Sequence, residues 1–248
     1  MNDINRDILQ DLIDHTLGLG VIDLLKITGT DKETSINAAA EDRTVILNAK
    51  YKNPVLGFSG VFGMPNLPKL KIILGFSDEY DENAKINVTR QNRDGEDQPV
   101  SIHFENKIGD FVNDYRLMSK MIVEEKVKNV VFKGATWNVD FQPAISGVQR
   151  LKKQSNVHSE ETVFTTKIEK GNLVVNFGDP ATHSGNFVFH SGLAGTFSRP
   201  LSWPVRQFVS IMDLVGDKHI YISDQGVMRI TVDSGIANYE YLLPAQSK

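Results

Sequence analysis

The chain has 248 residues, 40% of them apolar and 23% charged, with 27 Lys+Arg against 31 Asp+Glu and no cysteine. That composition excludes disordered and collagen-like chains. The missing thiol excludes disulfides, thiolate metal sites and a cysteine nucleophile, and a reducing cytosol is the expected compartment. The apolar runs fall far short of the roughly 20 residues a membrane helix needs, and the acidic start reads unlike a signal peptide, so no membrane is expected as a partner. A net charge of −4 argues against nucleic acid coating the whole surface but leaves room for a local basic patch.

Residues 4–17 place Ile8, Leu9, Leu12 and Ile13 at helical spacing, with Asn5 or Asp7 to cap the start and Gly18 and Gly20 to stop it. Short extended runs follow at 21–27, 34–39 and 44–50, punctuated by turn residues at 29–32 and 41–42. The pattern then predicts a short helix over 59–64, ended by Pro65, and strands at 70–76, 85–90 and 100–105. The carboxylate-rich turns at 78–82 and 93–97 lack the ligand series of a calcium loop and read as solvated hairpin tips.

A second round opens with an extended stretch at 129–141 and a helix at 143–154, its Ile145, Val148 and Leu151 facing inward. Strands at 162–169 and 173–177 flank a Gly171-Asn172 turn. A Gly/Ser-rich stretch, 178–195, precedes a short helix at 204–212 that starts with proline, as helices prefer. Strands at 219–223, 227–232 and 239–243 close the chain. Ile8 lines up with Ile145, Phe62 with Phe208, Ile72 with Ile220 and His103 with Glu240. The offset of about 140 residues is too long for a solenoid repeat and fits two copies of one α+β domain.

Signatures of nucleophile elbows, phosphate-binding loops, dinucleotide folds and zincins are all absent. His183, His190 and Asp179 could form a mixed-ligand site, but their Gly-rich setting reads as ordinary loop and strand-edge positions. The helix at 143–154 carries more information, because it holds Arg150, Lys152 and Lys153 and no acid in an acidic protein. Arg150 and Lys153, at i and i+3, project together away from the apolar face. Lys69, Lys71 and Arg206 add to this charge if the shorter helices share that surface, and phosphate contact needs no more than such cations. The first helix differs, since its Arg6 is opposed by Asp3, Asp7, Asp11 and Asp14.

Two helix-and-strand copies in such a chain resemble the DNA sliding clamps of the proliferating-cell-nuclear-antigen type, especially their shorter tailed-phage relatives. The C-terminal run from Gly235 to Ala245 is similar to the clamp ending, where a final strand leads into a Tyr-Leu-x-Pro tail. The segment 146–151 resembles the clamp's first helix of the second domain, and 56–64 its second helix of the first domain.

This resemblance implies an α+β fold of two similar clamp domains, each an antiparallel sheet with two helices. The expected boundaries are 1–115 and 129–248, with 116–128 as connector. It implies a non-enzymatic, cofactor-free processivity factor for DNA replication, a homotrimeric ring around double-stranded DNA, with a DNA polymerase and a clamp loader as partners. For a viral protein the compartment would be the host cytoplasm. Arg150, Lys152, Lys153, Arg206 and Lys69 are the expected DNA contacts. Leu117, Met118, Met121 and Ile122 of the connector, with Leu243, Pro244 and Ala245 of the tail, are the expected client pocket. A β-rich virion or tail-assembly protein is the competing reading, and an enzyme using His183, His190 and Asp179 a third.

Overall fold

The computed structural model describes residues 3–93, 95–127 and 134–246. By contacts the chain divides into one unit of Met1–Glu41, Leu47–Val130 and Ser234–Tyr239, and another of Asp42–Ile46, Val131–Asp233 and Glu240–Lys248.

The first unit begins with helix α1 (Arg6–Thr16), capped by the Asn5 side chain, which accepts from the Asp7 amide at 2.8 Å. Leu9, Leu12 and Ile13 form its buried stripe. Strands β1 (Leu24–Gly29), β2 (Thr34–Ala39), β3 (Ile46–Tyr51) and β4 (Gly60–Pro65) follow, then helix α2 (Leu67–Leu74). Strands β5 (Lys85–Arg93), β6 (Glu96–Glu105) and β7 (Val112–Arg116) come next, with helix α3 (Lys120–Lys126) after them. The strand orders are β4-β1-β2-β3 and β5-β6-β7, and the pairs β1·β2, β1·β4, β5·β6 and β6·β7 are antiparallel.

The second unit repeats this plan. After strand β8 (Val139–Phe141) come helix α4 (Ile145–Val157), strands β9 (Val163–Glu169), β10 (Asn172–Gly178), β11 (Ser184–Ser191) and β12 (Leu201–Pro204), and helix α5 (Val205–Asp213). Strands β13 (Asp217–Ser223), β14 (Val227–Asp233) and β15 (Ala237–Pro244) complete it. The orders are β12-β9-β10-β11 and β8-β13-β14-β15. Four strands run 4-1-2-3 in each unit, followed by a helix and three consecutive strands.

Two edges are managed alike. Gly63 on β4 exchanges backbone hydrogen bonds with Met118 at 2.9 and 2.8 Å, just after β7. Ser202 on β12 pairs with Gln246, just after β15, through a 2.9 Å bond. In each unit the chain leaving the last strand returns to cover the fourth. Gly63 permits this approach, since a Cβ there would stand 2.9 Å from Val123 Cγ2 and 3.0 Å from Met118 Cβ.

Several sequence expectations are corrected. Residues 60–65 form strand β4 rather than a helix, and the second helix is α2 at 67–74, where a strand was expected. Strand β4 lacks alternation because Phe62, Gly63 and Met64 are all buried, its second face lying under Met118 and Val123. In α2, Leu67, Leu70, Ile73 and Leu74 are buried at helical spacing, and Pro68 sits in the first turn, which tolerates it. The clamp-like second helix of the first unit is thus α2, not 56–64. Phe62 and Phe208, Ile72 and Ile220, and His103 and Glu240 are therefore not equivalent, because β4 corresponds to β12, α2 to α5 and β6 to β14. Strands β7, β11 and β12 were not foreseen, β11 falling within the Gly/Ser-rich stretch and β12 taking in Pro204, which was expected to open the helix. Of the extended stretch 129–141, only 139–141 is strand among the described residues; 129–133 lie outside them.

Helix α4 buries Gly147 and Leu151, whereas Ile145 is 78% exposed, correcting its expected inward position. A Cβ at Gly147 would stand 2.4 Å from the Phe189 carbonyl oxygen of β11, so glycine sets how closely α4 approaches the sheet. Gly147→Ala is expected to destabilise by about 1–3 kcal/mol through overpacking, although alanine is the better helix former by roughly 1 kcal/mol. Denaturant unfolding checks this; a stabilised variant would mean the backbone yields freely.

Candidate nucleic-acid interface

The second unit's helices rest on an aromatic floor. Phe164 packs against Phe208 at 5.1 Å and Phe177 at 5.9 Å, and Phe189 lies 6.0 Å from Phe208. The fully buried Trp203 directs β12 into α5, its indole N–H donating to Thr166 Oγ1 at 2.8 Å, so the buried donor is satisfied. Helix α5 seats Phe208, Ile211 and Met212 on this floor and leaves Arg206 exposed. Helix α4 seats Leu151 and leaves Arg150 and Lys153 exposed.

Of the cations expected to meet DNA, Arg150, Lys152, Lys153 and Arg206 thus lie on two helices of one unit, and Lys69 is exposed on α2 of the other with Lys71 beside it in sequence. They are not equally available. Lys152 forms an ion pair with Asp213, the last residue of α5. Arg150 reaches toward the Val188 carbonyl of β11 at 3.4 Å. Lys218, at the start of β13, donates to the carbonyls of Leu214 and Gly216, the second at 3.1 Å. Burial pushes the Lys218 ammonium pKa down, partly offset by Asp213 and Asp217. Asp213 and Lys218 went unseen in the sequence because their relation to Lys152 exists only once α4 packs on α5.

On the first unit's α1, Arg6 donates to the Leu74 carbonyl at the end of α2. Its one arginine is therefore committed to a neighbouring helix, while Asp7 and Asp14 stay exposed.

The expected client residues divide by exposure. Leu117 and Met118 are half-buried, Leu117 donating its amide to the Val100 carbonyl at 3.0 Å. In α3, Val123 is fully buried, while Met121 is 78% and Ile122 42% exposed. In the other unit Pro244 and Ala245 are half-buried, the Ala245 amide donating to the Gly226 carbonyl at 2.9 Å. Leu243 is corrected: its side chain is fully buried, so it packs the core and offers a client no contact.

The histidine alternative finds no geometry. The Asp179 carboxylate accepts from the Ala181 amide at 2.8 Å in a local turn, and His183 is exposed. His190 packs on Phe141 with ring centres 4.5 Å apart, and burial lowers its pKa. Among the described residues no group of three or more His, Asp or Glu could hold a metal ion.

No protein-family model and no curated protein matches the chain. Solved structures do. PCNA of A. fulgidus, determined with the C-terminal region of FEN-1 bound, is similar with TM-score 0.70 at 10% identity, over 99% of this chain and 97% of that one. Proliferating cellular nuclear antigen from Entamoeba histolytica gives 0.69 at 10% identity, with the same coverage. The PCNA2–PCNA3 complex from Sulfolobus tokodaii gives 0.65 at 13% identity, over 99% and 98%. The fold of this chain is that of the PCNA sliding clamps, two similar α+β domains of antiparallel sheet with helices.

Proposed function

We propose that this chain is a DNA sliding clamp, a ring that encircles duplex DNA and tethers a replicative DNA polymerase. The observation that carries the reading is the acid-free helix α4, which exposes Arg150 and Lys153 on a duplicated clamp fold, with Arg206 exposed on α5 of the same unit. Cations on helices meet phosphates without reading bases, and such interactions, loosened by water and salt, permit movement along the duplex. Arg150, Lys153 and Arg206 are the principal contacts, with Lys69 and Lys152 contributing less.

The ring closes through sheet edges. Strand β7 ends one sheet of the first unit and β11 ends one sheet of the second. Pairing β7 of one copy with β11 of the next removes both edges. The two surfaces differ, so the contact is head-to-tail, and rotation that returns to the start makes a ring rather than a filament. Three copies of a two-domain chain supply six domains. In this reading 1–115 and 129–248 are the domains, 116–128 the connector that receives clients, and a loader opens the ring. Kinship with the shorter phage clamps, and with it a host-cytoplasmic location, rests on the sequence resemblance alone.

Light scattering is expected to return three times the protomer mass. Only protomer at micromolar concentration, with no crosslinked trimer, would exclude a stable ring.

Replacing Arg150, Lys153 and Arg206 together by Ala is expected to weaken binding to any duplex sequence alike. The log–log salt slope should become shallower by about 0.9 for each phosphate that the variant no longer neutralises. Fluorescence anisotropy at several salt concentrations reads both. A changed sequence preference would refute sliding.

For the client surface, Ile122→Ser is expected to change stability by no more than about 0.5 kcal/mol while abolishing polymerase stimulation. Pro244→Ser tests the tail in the same assay. Leu243→Ala should instead cost about 2–5 kcal/mol as a core cavity. If Ile122→Ser unfolds the protein while the folded fraction keeps normal processivity, α3 is a seal and not a docking surface.

A further inference from the structure

Asp213 breaks a local rule. It is the last residue of α5, where unpaired carbonyls concentrate negative charge and a Lys or Arg is the favoured neighbour. The last turn of α5 holds no basic residue. The cations come from elsewhere: Lys218 donates to the Leu214 and Gly216 carbonyls just beyond the helix, and Lys152 crosses from α4 to pair with the Asp213 carboxylate. Asp213 and Asp217 also face Lys218 and partly offset the burial of its ammonium, while Lys218 itself holds those carbonyls. The pair itself is half exposed, at 39% for the Lys152 side chain and 52% for Asp213. Screening by water leaves such a pair worth little to folding.

So weak a pair contributes little to folding, and what Asp213 changes most is how far the Lys152 ammonium is free to reach outward. Asp213 stands beside an otherwise acid-free row of cations on α4 and engages one of them. Resting on the reading of α4 and α5 as the DNA-facing surface, we propose that Asp213 sets the strength of the phosphate interaction by holding Lys152 back from the duplex. Arg150, Lys153 and Arg206 then carry the attraction, and the fourth cation is withheld. A ring that must move along its track requires this balance, because every neutralised phosphate is a counterion-releasing attraction that movement must break.

The test is duplex binding by fluorescence anisotropy, on the full chain and a short labelled blunt-ended DNA, across a salt series. Asp213→Asn is expected to bind more tightly. Its decline in affinity between about 50 and about 200 mM salt should deepen about threefold, the effect of one further neutralised phosphate. Introduced into a Lys152→Ala background, Asp213→Asn should give no increase in affinity. Thermal unfolding should be unchanged or slightly higher, since an acid is removed from a helix C-terminus. Two results overturn the proposal: Asp213→Asn with wild-type affinity and salt slope, or an increase that survives in the Lys152→Ala background. If binding falls for Arg150→Ala and Lys153→Ala while Asp213→Asn does nothing, only this inference fails. If those two variants also bind normally, the DNA-facing reading fails with it.

Discussion

A strand at the edge of a sheet leaves half of its N–H and C=O groups without a ladder partner, and a protein built mainly of short antiparallel strands must deal with every such edge. This chain uses one solution twice. The segment leaving the last strand of each unit folds back onto the fourth, Met118 pairing with Gly63 and Gln246 with Ser202. In the first unit that return carries α3 with it, which buries Val123 while exposing Met121 and Ile122. A backbone requirement thereby creates an apolar surface beside a fixed point of the sheet. Strands β7 and β11 each end a sheet.

Charge is arranged with similar economy of residues. The chain is acidic in sum, yet α4 carries no acid and α1 keeps its single arginine on the α2 terminus. Net charge and local field are separate quantities. The two helices at corresponding places in the repeat, α1 and α4, thus share a fold role and differ in sign. Helix α4 approaches β11 closely at Gly147, and its Lys152 meets Asp213 of α5.

Much was legible in the sequence where local rules are strong. The 3.6-residue spacing of Leu9, Leu12 and Ile13 and the proline before α5 predicted elements that the structure contains, whereas the hairpin turn expected at Gly171-Asn172 lies one residue earlier, at Lys170-Gly171, with Asn172 already in β10. The duplication and the basic character of α4 were also visible, since periodicity and composition survive without knowledge of the tertiary fold. The exchange of β4 and α2 came from a different source. A strand covered on both faces loses its alternation, and an eight-residue helix with adjacent isoleucines mimics a strand, so short apolar runs cannot be assigned by period alone.

The sequence by itself determined the architecture's components: two rounds of helices and strands, no thiol chemistry, and a helix that carries cations and no acid of its own. Tertiary structure alone decided which strand edges are covered, that Leu243 lies in the core while Ile122 does not, and that Lys152 is engaged by Asp213. The physical reason is range. Propensity, capping and periodicity act over one or two turns of chain, whereas edge coverage, burial and ion pairing join residues tens of positions apart and exist only after the layers have packed.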